Sequence, residues 1–268
     1  MPARTRGCVL LGALATLLCT VACGTNGTNG TDQRGDGSPA PSTVTSTAPS
    51  SVTSTASSTG SEPECGVPIT GPHRYLSGSV STHTDVLLLG SGPRGVVVGA
   101  QANGGICQAL AYAQTLTARG YHAAVFDWMA DYAADLTTAA HALLAAGARK
   151  VVVGGFSRGG LVALGVAPSL GPAVVGVFSV SGGPSLTEGF PTIASLARFA
   201  GPILLVSSTD DPVFPHGTSA RIASAHTAGP NTLQIVPGSQ HALALLNGSQ
   251  GPRITSAIDA FLHRLLGG

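Results

Sequence analysis

Two periodicities alternate along the chain from residue 84 onward. Short apolar runs rich in valine, leucine and alanine occupy 84–90, 95–101, 121–127, 150–156, 173–180, 202–207 and 231–236. Between them lie stretches whose apolar positions recur three and four apart: 107–119, 131–146, one from Leu161 that stops near Pro168, 191–199, 215–226 and 253–266. The first kind predicts strands covered on both faces, the second helices that bury one side. Gly120 and Gly147 stand where the first two helices should stop. Strands alternating with helices predict an α/β domain, a mostly parallel central sheet with helices on both faces. The runs 84–90 and 95–101, joined by Ser91-Gly92-Pro93-Arg94, are expected to be neighbouring strands.

Upstream this pattern is absent. Residues 24–62 are almost entirely Gly, Ser, Thr, Pro, Asn and Ala, with Val44 and Val52 the only larger aliphatics. Such a segment cannot bury enough surface to offset its ordering entropy, which predicts a disordered tether with a reach of about 35 Å. Before it, Arg4 and Arg6 precede an apolar stretch over 8–22, short for a bilayer span and typical of an export signal. Its end, Thr20-Val21-Ala22-Cys23-Gly24, resembles a bacterial lipoprotein box with leucine replaced by Thr20. The expected organisation is a signal over 1–23 ending at an acylated Cys23, a tether over 24–62 and a catalytic domain over 63–268. That places the domain outside the cytoplasm, lipid-anchored to the outer face of a bacterial membrane; the alternative is a free secreted protein.

Charge narrows the partners. Only 9% of the 268 residues are charged and the formal net charge is +1. No basic patch points to nucleic acid, and contact with a membrane is expected through the anchor alone. Of the five cysteines, Cys8 and Cys19 leave with the signal and Cys23 carries the lipid. Cys65 and Cys107 remain, and two cysteines in an exported domain are expected to pair.

The chemistry concentrates at Gly155-Phe156-Ser157-Arg158-Gly159, directly after the run 150–156. Strand, sharp turn and helix follow one another with a serine at the apex, and glycines two before and two after remove the Cβ atoms that such a turn would crowd. A serine hydroxyl is a weak nucleophile at neutral pH, so it needs a base, and the base needs a third group to fix its tautomer. Beyond Ser157 the only carboxylates are Glu188, Asp210, Asp211 and Asp259, and the only histidines are His216, His226, His241 and His263. Asp210 and Asp211 follow one predicted strand, and His241 follows the next. Asp259 and His263 fall on the last helix and are expected to face solvent. Glu188 lies in a Gly/Pro-rich connection, His226 closes a helix, and His216 is carried into the helix after the acidic loop.

Gly-x-Ser-x-Gly after a central strand, Asp211-Pro212-Val213-Phe214-Pro215 after a later one and Gly238-Ser239-Gln240-His241 after the last together resemble the α/β-hydrolase superfamily. The resemblance covers roughly residues 73–266. It implies Ser157 as nucleophile, Asp211 in preference to Asp210 as acid, and His241 as base. It also implies an oxyanion hole from the backbone amide of Arg158 and one from the loop after 95–101, assigned to Ala102 among Gln101, Ala102 and Asn103. Many relatives carry His-Gly where this chain has Ala100-Gln101. Gly105-Ile106-Cys107 loosely echoes the cysteine elbow of dienelactone hydrolases, but Cys107 follows an early strand and is expected to pair with Cys65. Ser179 and Ser181 lack the paired flanking glycines and read as strand end and loop.

The resemblance implies a carboxylesterase acting through an acyl-enzyme on short-chain or envelope-borne esters, with little or no cap. The alternatives are an envelope acyltransferase or peptidase with the same triad, and a non-catalytic binding lipoprotein. No metal-ligand cluster, nucleotide loop or cofactor fingerprint is present in the sequence.

Overall fold

The apolar runs become strands of one sheet. The computed structural model describes residues 61–78, 83–129, 131–185 and 192–267, all in the second of two units, 1–54 and 55–268, into which the chain divides. The expected signal, Cys23, nearly all of the tether and Glu188 lie outside the described residues. The strands are β1 (His73–Leu76), β2 (Val86–Leu89), β3 (Arg94–Gly99), β4 (His122–Phe126), β5 (Lys150–Phe156), β6 (Val174–Val180), β7 (Ile203–Ser208) and β8 (Asn231–Val236). They form an eight-stranded sheet in the order β1-β2-β4-β3-β5-β6-β7-β8. Pairs β1–β2 and β2–β4 are antiparallel and all others are parallel.

The expectation that the first two apolar runs are neighbours is corrected by this order. β4 lies between β2 and β3, pairing Leu88 with Ala124 on one side and Val97 with the same Ala124 on the other. Strands stand about 4.8 Å apart, and a four-residue link reaches roughly 13 Å. The Ser91–Arg94 connection is therefore long enough to step over one strand, and its turn-like composition carries no information about which.

Helices α1 (Ile106–Thr117), α2 (Tyr132–Ala145), α3 (Arg158–Val166), α4 (Thr192–Leu196), α5 (His216–Ala225), α6 (Leu243–Asn247) and α7 (Gly251–Leu266) cover the sheet, with a 3₁₀ turn at Ala167–Ser169. Alternation along the strands divides the core. Val96 and Val98 of β3 face α1 and α7, meeting Leu110, Leu116, Ile258 and Phe261. Val97 faces the other way, into a layer with Leu136 and Leu143 of α2, Leu164 of α3 and Ile222 of α5. All three valines are fully buried. Both faces being covered is why β3 reads as an unbroken valine run rather than an alternating one. Between β6 and β7 the described residues add only the one-turn helix α4, so any cap is minimal.

Cys65 and Cys107 form a disulfide with Cα atoms 4.8 Å apart. Cys107 sits in the first turn of α1, so the bridge ties the segment before β1 to that helix.

Candidate active site

The parallel strands β3, β5, β6, β7 and β8 bring their carboxyl ends to one rim, and the expected site residues follow those ends. Ser157 sits between β5 and α3 with φ 49° and ψ −110°. A non-glycine residue in the left-handed region costs on the order of 1–3 kcal/mol and persists only where its surroundings hold it. Here they do. A Cβ on Gly155 would lie 2.2 Å from Gly99 O and one on Gly159 2.0 Å from the same oxygen. The elbow is wedged against the end of β3, which explains both glycines of the motif. Ser157 N–H donates to Val180 O at 2.8 Å. Its side chain occupies the N-cap position of α3 without making a capping bond, which leaves the hydroxyl free for other work.

Asp211 and His241 meet directly. The imidazole Nδ1–H donates to both carboxylate oxygens, at 2.9 Å each. The Asp211 side chain is 0% exposed and that of His241 18%. Val213 N–H and Phe214 N–H donate to Asp211 Oδ1 at 2.9 and 3.0 Å. Burial alone would raise the carboxyl pKa. Hydrogen bonds from Phe214 N–H, the imidazole, the Ser181 hydroxyl and Val213 N–H outweigh it and hold the group below its ordinary value. Asp210 instead accepts from Thr209 Oγ1 at the surface. His216 turns its Nδ1 to Thr209 O, 2.7 Å away. His226 is buried, its Nε2 2.7 Å from Phe199 O. His263 is exposed. Asp259, expected in solvent, is partly covered and pairs with Arg119 at 3.0 Å.

Two side chains hang the His241 loop on the rim. Ser181, fully buried with φ 52°, accepts Ala242 N–H at 3.0 Å. Gln101 Oε1 accepts Leu243 N–H at 3.1 Å. The path from Ser157 N–H to Val180 O, through the adjoining Ser181 to Ala242, links the serine to the imidazole loop. Ser157 Oγ makes no hydrogen bond to His241 in this structure; in substrate-free enzymes such contacts are commonly long and tighten on binding. In the sequence Ser181 reads only as loop. Its position immediately after β6, on the rim that bears the other three residues, was the available signal.

In the loop after β3, Gln101 N–H is taken by Gln108 Oε1 at 2.9 Å. Ala102, with φ 45°, keeps its N–H without a protein acceptor among the described residues. Arg158 reaches across to this loop, its Nη1 donating to Asn103 Oδ1 at 2.7 Å while the guanidinium lies 4.4 Å from the Tyr132 ring centroid. Trp128 packs edge-on to Tyr132 and donates from Nε1 to Ala100 O at 3.2 Å. A cavity of about 400 Å³ opens between α1, α6 and α7, but its walls include neither Ser157 nor His241. Among the described residues no group of His, Cys, Asp and Glu could hold a metal ion, and no helix is long and apolar enough to cross a membrane.

A sheet of this strand order with a strained serine after β5 invites comparison with known structures. A monoacylglycerol lipase of Paleococcus ferrophilus superimposes with a TM-score of 0.58, covering 66% of this chain and 97% of its own at 15% identity. The chain has the α/β-hydrolase fold. Two further structures agree. A metagenomic dienelactone hydrolase-like promiscuous phosphotriesterase gives 0.60 at 19% identity, over 73% of this chain and 99% of its own. A dienelactone hydrolase from Anabaena variabilis gives 0.55 at 18% identity, over 72% and 97%. By sequence, residues 126–245 match the phospholipase/carboxylesterase family. No curated protein matches the chain.

Proposed function

We propose that this α/β-hydrolase is an exported serine carboxylesterase, with Ser157 as nucleophile, His241 as base and Asp211 as its orienting acid. The observation that carries this reading is the hydrogen bond of the fully buried Asp211 carboxylate to His241 Nδ1, on the rim where the fold strains Ser157. With Nδ1 committed to Asp211, the imidazole turns Nε2 outward as the acceptor. His241 takes the proton of Ser157 as Oγ attacks the ester carbonyl. The N–H groups of Arg158 and Ala102 receive the oxyanion. His241 then returns the proton to the departing alcohol. Water, deprotonated by the same imidazole, attacks the acyl-enzyme; the acid leaves as His241 passes that proton to Ser157 Oγ, restoring both groups.

The minimal cap supports short or polymer-borne esters over long buried acyl chains, and the match of residues 126–245 to phospholipase/carboxylesterases supports ester over other acyl bonds. The lipoprotein-like 20–24 segment supports attachment at Cys23; a Cys23→Ser variant should then appear in the medium and lose incorporation of radiolabelled palmitate. The enzyme assignment is tested with a fluorophosphonate probe and p-nitrophenyl butyrate. The wild type should be tagged at Ser157 and turn over the ester. The Ser157→Ala variant should do neither, with turnover down about 10⁶-fold. Equal turnover by both proteins would end the assignment.

A further inference from the structure

Gln101 departs from the His-Gly found in many relatives, and the structure gives its side chain a task that glycine could not perform. Its main chain is fixed by the loop itself and by α1. Its N–H donates to Gln108 Oε1 on α1 at 2.9 Å, and its carbonyl accepts Gly104 N–H at 2.9 Å. Its side chain crosses to the other loop, where Oε1 accepts Leu243 N–H at 3.1 Å. Leu243 opens α6, and the first amides of a helix have no acceptor within it. A five-residue helix cannot organise its own start, so these amides depend on groups from elsewhere. Ala242 N–H is satisfied by Ser181 and Leu243 N–H by Gln101. These two acceptors hold successive amides of a turn in which Ala242 has φ 53° and ψ −120°, directly after His241.

The two acceptors come from different places. Ser181 stands just beyond β6 and reaches the acid as well as the turn. Gln101 belongs to the loop that carries Ala102. It is thus covalently next to one oxyanion donor and hydrogen-bonded two residues from the base. We propose that Gln101 is a positioning residue that sets the oxyanion loop and the His241 loop at a fixed spacing. The inference rests on the esterase reading above. Gln108 contributes by occupying the Gln101 amide, which leaves Ala102 N–H as the donor facing the substrate carbonyl. Attack and protonation need the imidazole and the oxyanion donors in register at the same moment, and an error near 1 Å costs about 10²-fold. Ground-state binding of a small ester depends far less on that register.

The test compares wild type with Gln101→Met, which keeps the reach and removes the amide acceptor, and with Gln101→Leu, a shorter apolar second replacement. Kinetics on p-nitrophenyl butyrate, melting temperature and fluorophosphonate labelling are measured on the full domain. Both variants should lose at least tenfold in kcat, keep KM within about threefold, and melt within a few degrees of wild type. A kcat within twofold of wild type, a loss carried by KM, or unfolding of both variants would each overturn the proposal. Failure of the wild type itself to label at Ser157 defeats the esterase reading instead, so the two failures are distinct.

Discussion

Asp211 is a carboxylate removed from water yet held ionised, and the accounting is local. Two main-chain amides two and three residues ahead, the Ser181 hydroxyl just beyond β6 and the imidazole supply donors to a group that cannot be hydrated. Replacing it by asparagine keeps the shape but turns an acceptor into a donor at the imidazole, reversing the tautomer; turnover of p-nitrophenyl butyrate should fall about 10³–10⁴-fold. Asp210→Asn, one residue away but exposed, should stay within twofold, and the two measured side by side separate the adjacent acids. Ser181→Ala strands the Ala242 amide and takes one donor from the carboxylate. A lost buried hydrogen bond of this kind costs about 1–3 kcal/mol. The expected result is a lower melting temperature together with reduced kcat.

At the scale of elements, the elbow shows how far local pattern reaches. The residues that make it were legible, because a β-branched run, two glycines and a following apolar period have only one good arrangement. What the glycines avoid was not legible. Both would collide with Gly99 O, on a strand whose apposition to β5 is a tertiary fact. Gly159→Ala sets a methyl carbon 2.0 Å from a backbone oxygen of a central strand, with no flexible side chain to yield. It should cost more than about 3 kcal/mol, beyond the usual range for an added methylene, and be read as a collapsed melting temperature and lost labelling at Ser157. The same limit explains the other misses. β1 has only four residues, two of them exposed, and gives no run to detect. β4 enters between β2 and β3 because pairing is decided across the sheet, not along the chain. The contacts of Ser181 and Gln101 are long-range bonds from residues with unremarkable neighbours.

At the scale of the whole molecule, acid stability separates the role of Asp211 from those of two partly buried carboxyls, Asp127 and Asp259. Its folded pKa lies below the ordinary value of about 3.9, so the native state binds its proton less readily than the unfolded chain does. Its contribution is therefore fully present above about pH 4 and is lost as pH falls through the depressed folded value. Asp127 and Asp259 run the other way. Burial raises both, so each favours the folded state on acidification and flattens the overall slope. The wild-type melting temperature alone mixes these opposed effects, but a comparison isolates one of them. Melting curves of wild type and Asp211→Asn, taken from pH 7 down to pH 2 with the Cys65–Cys107 bridge intact, should be furthest apart at neutral pH and converge below pH 4. The asparagine variant has no charge to lose at that position. Parallel curves through that window would mean that Asp211 is not ionised in the fold, and with it the imidazole would lose the negative partner on which its proposed role depends.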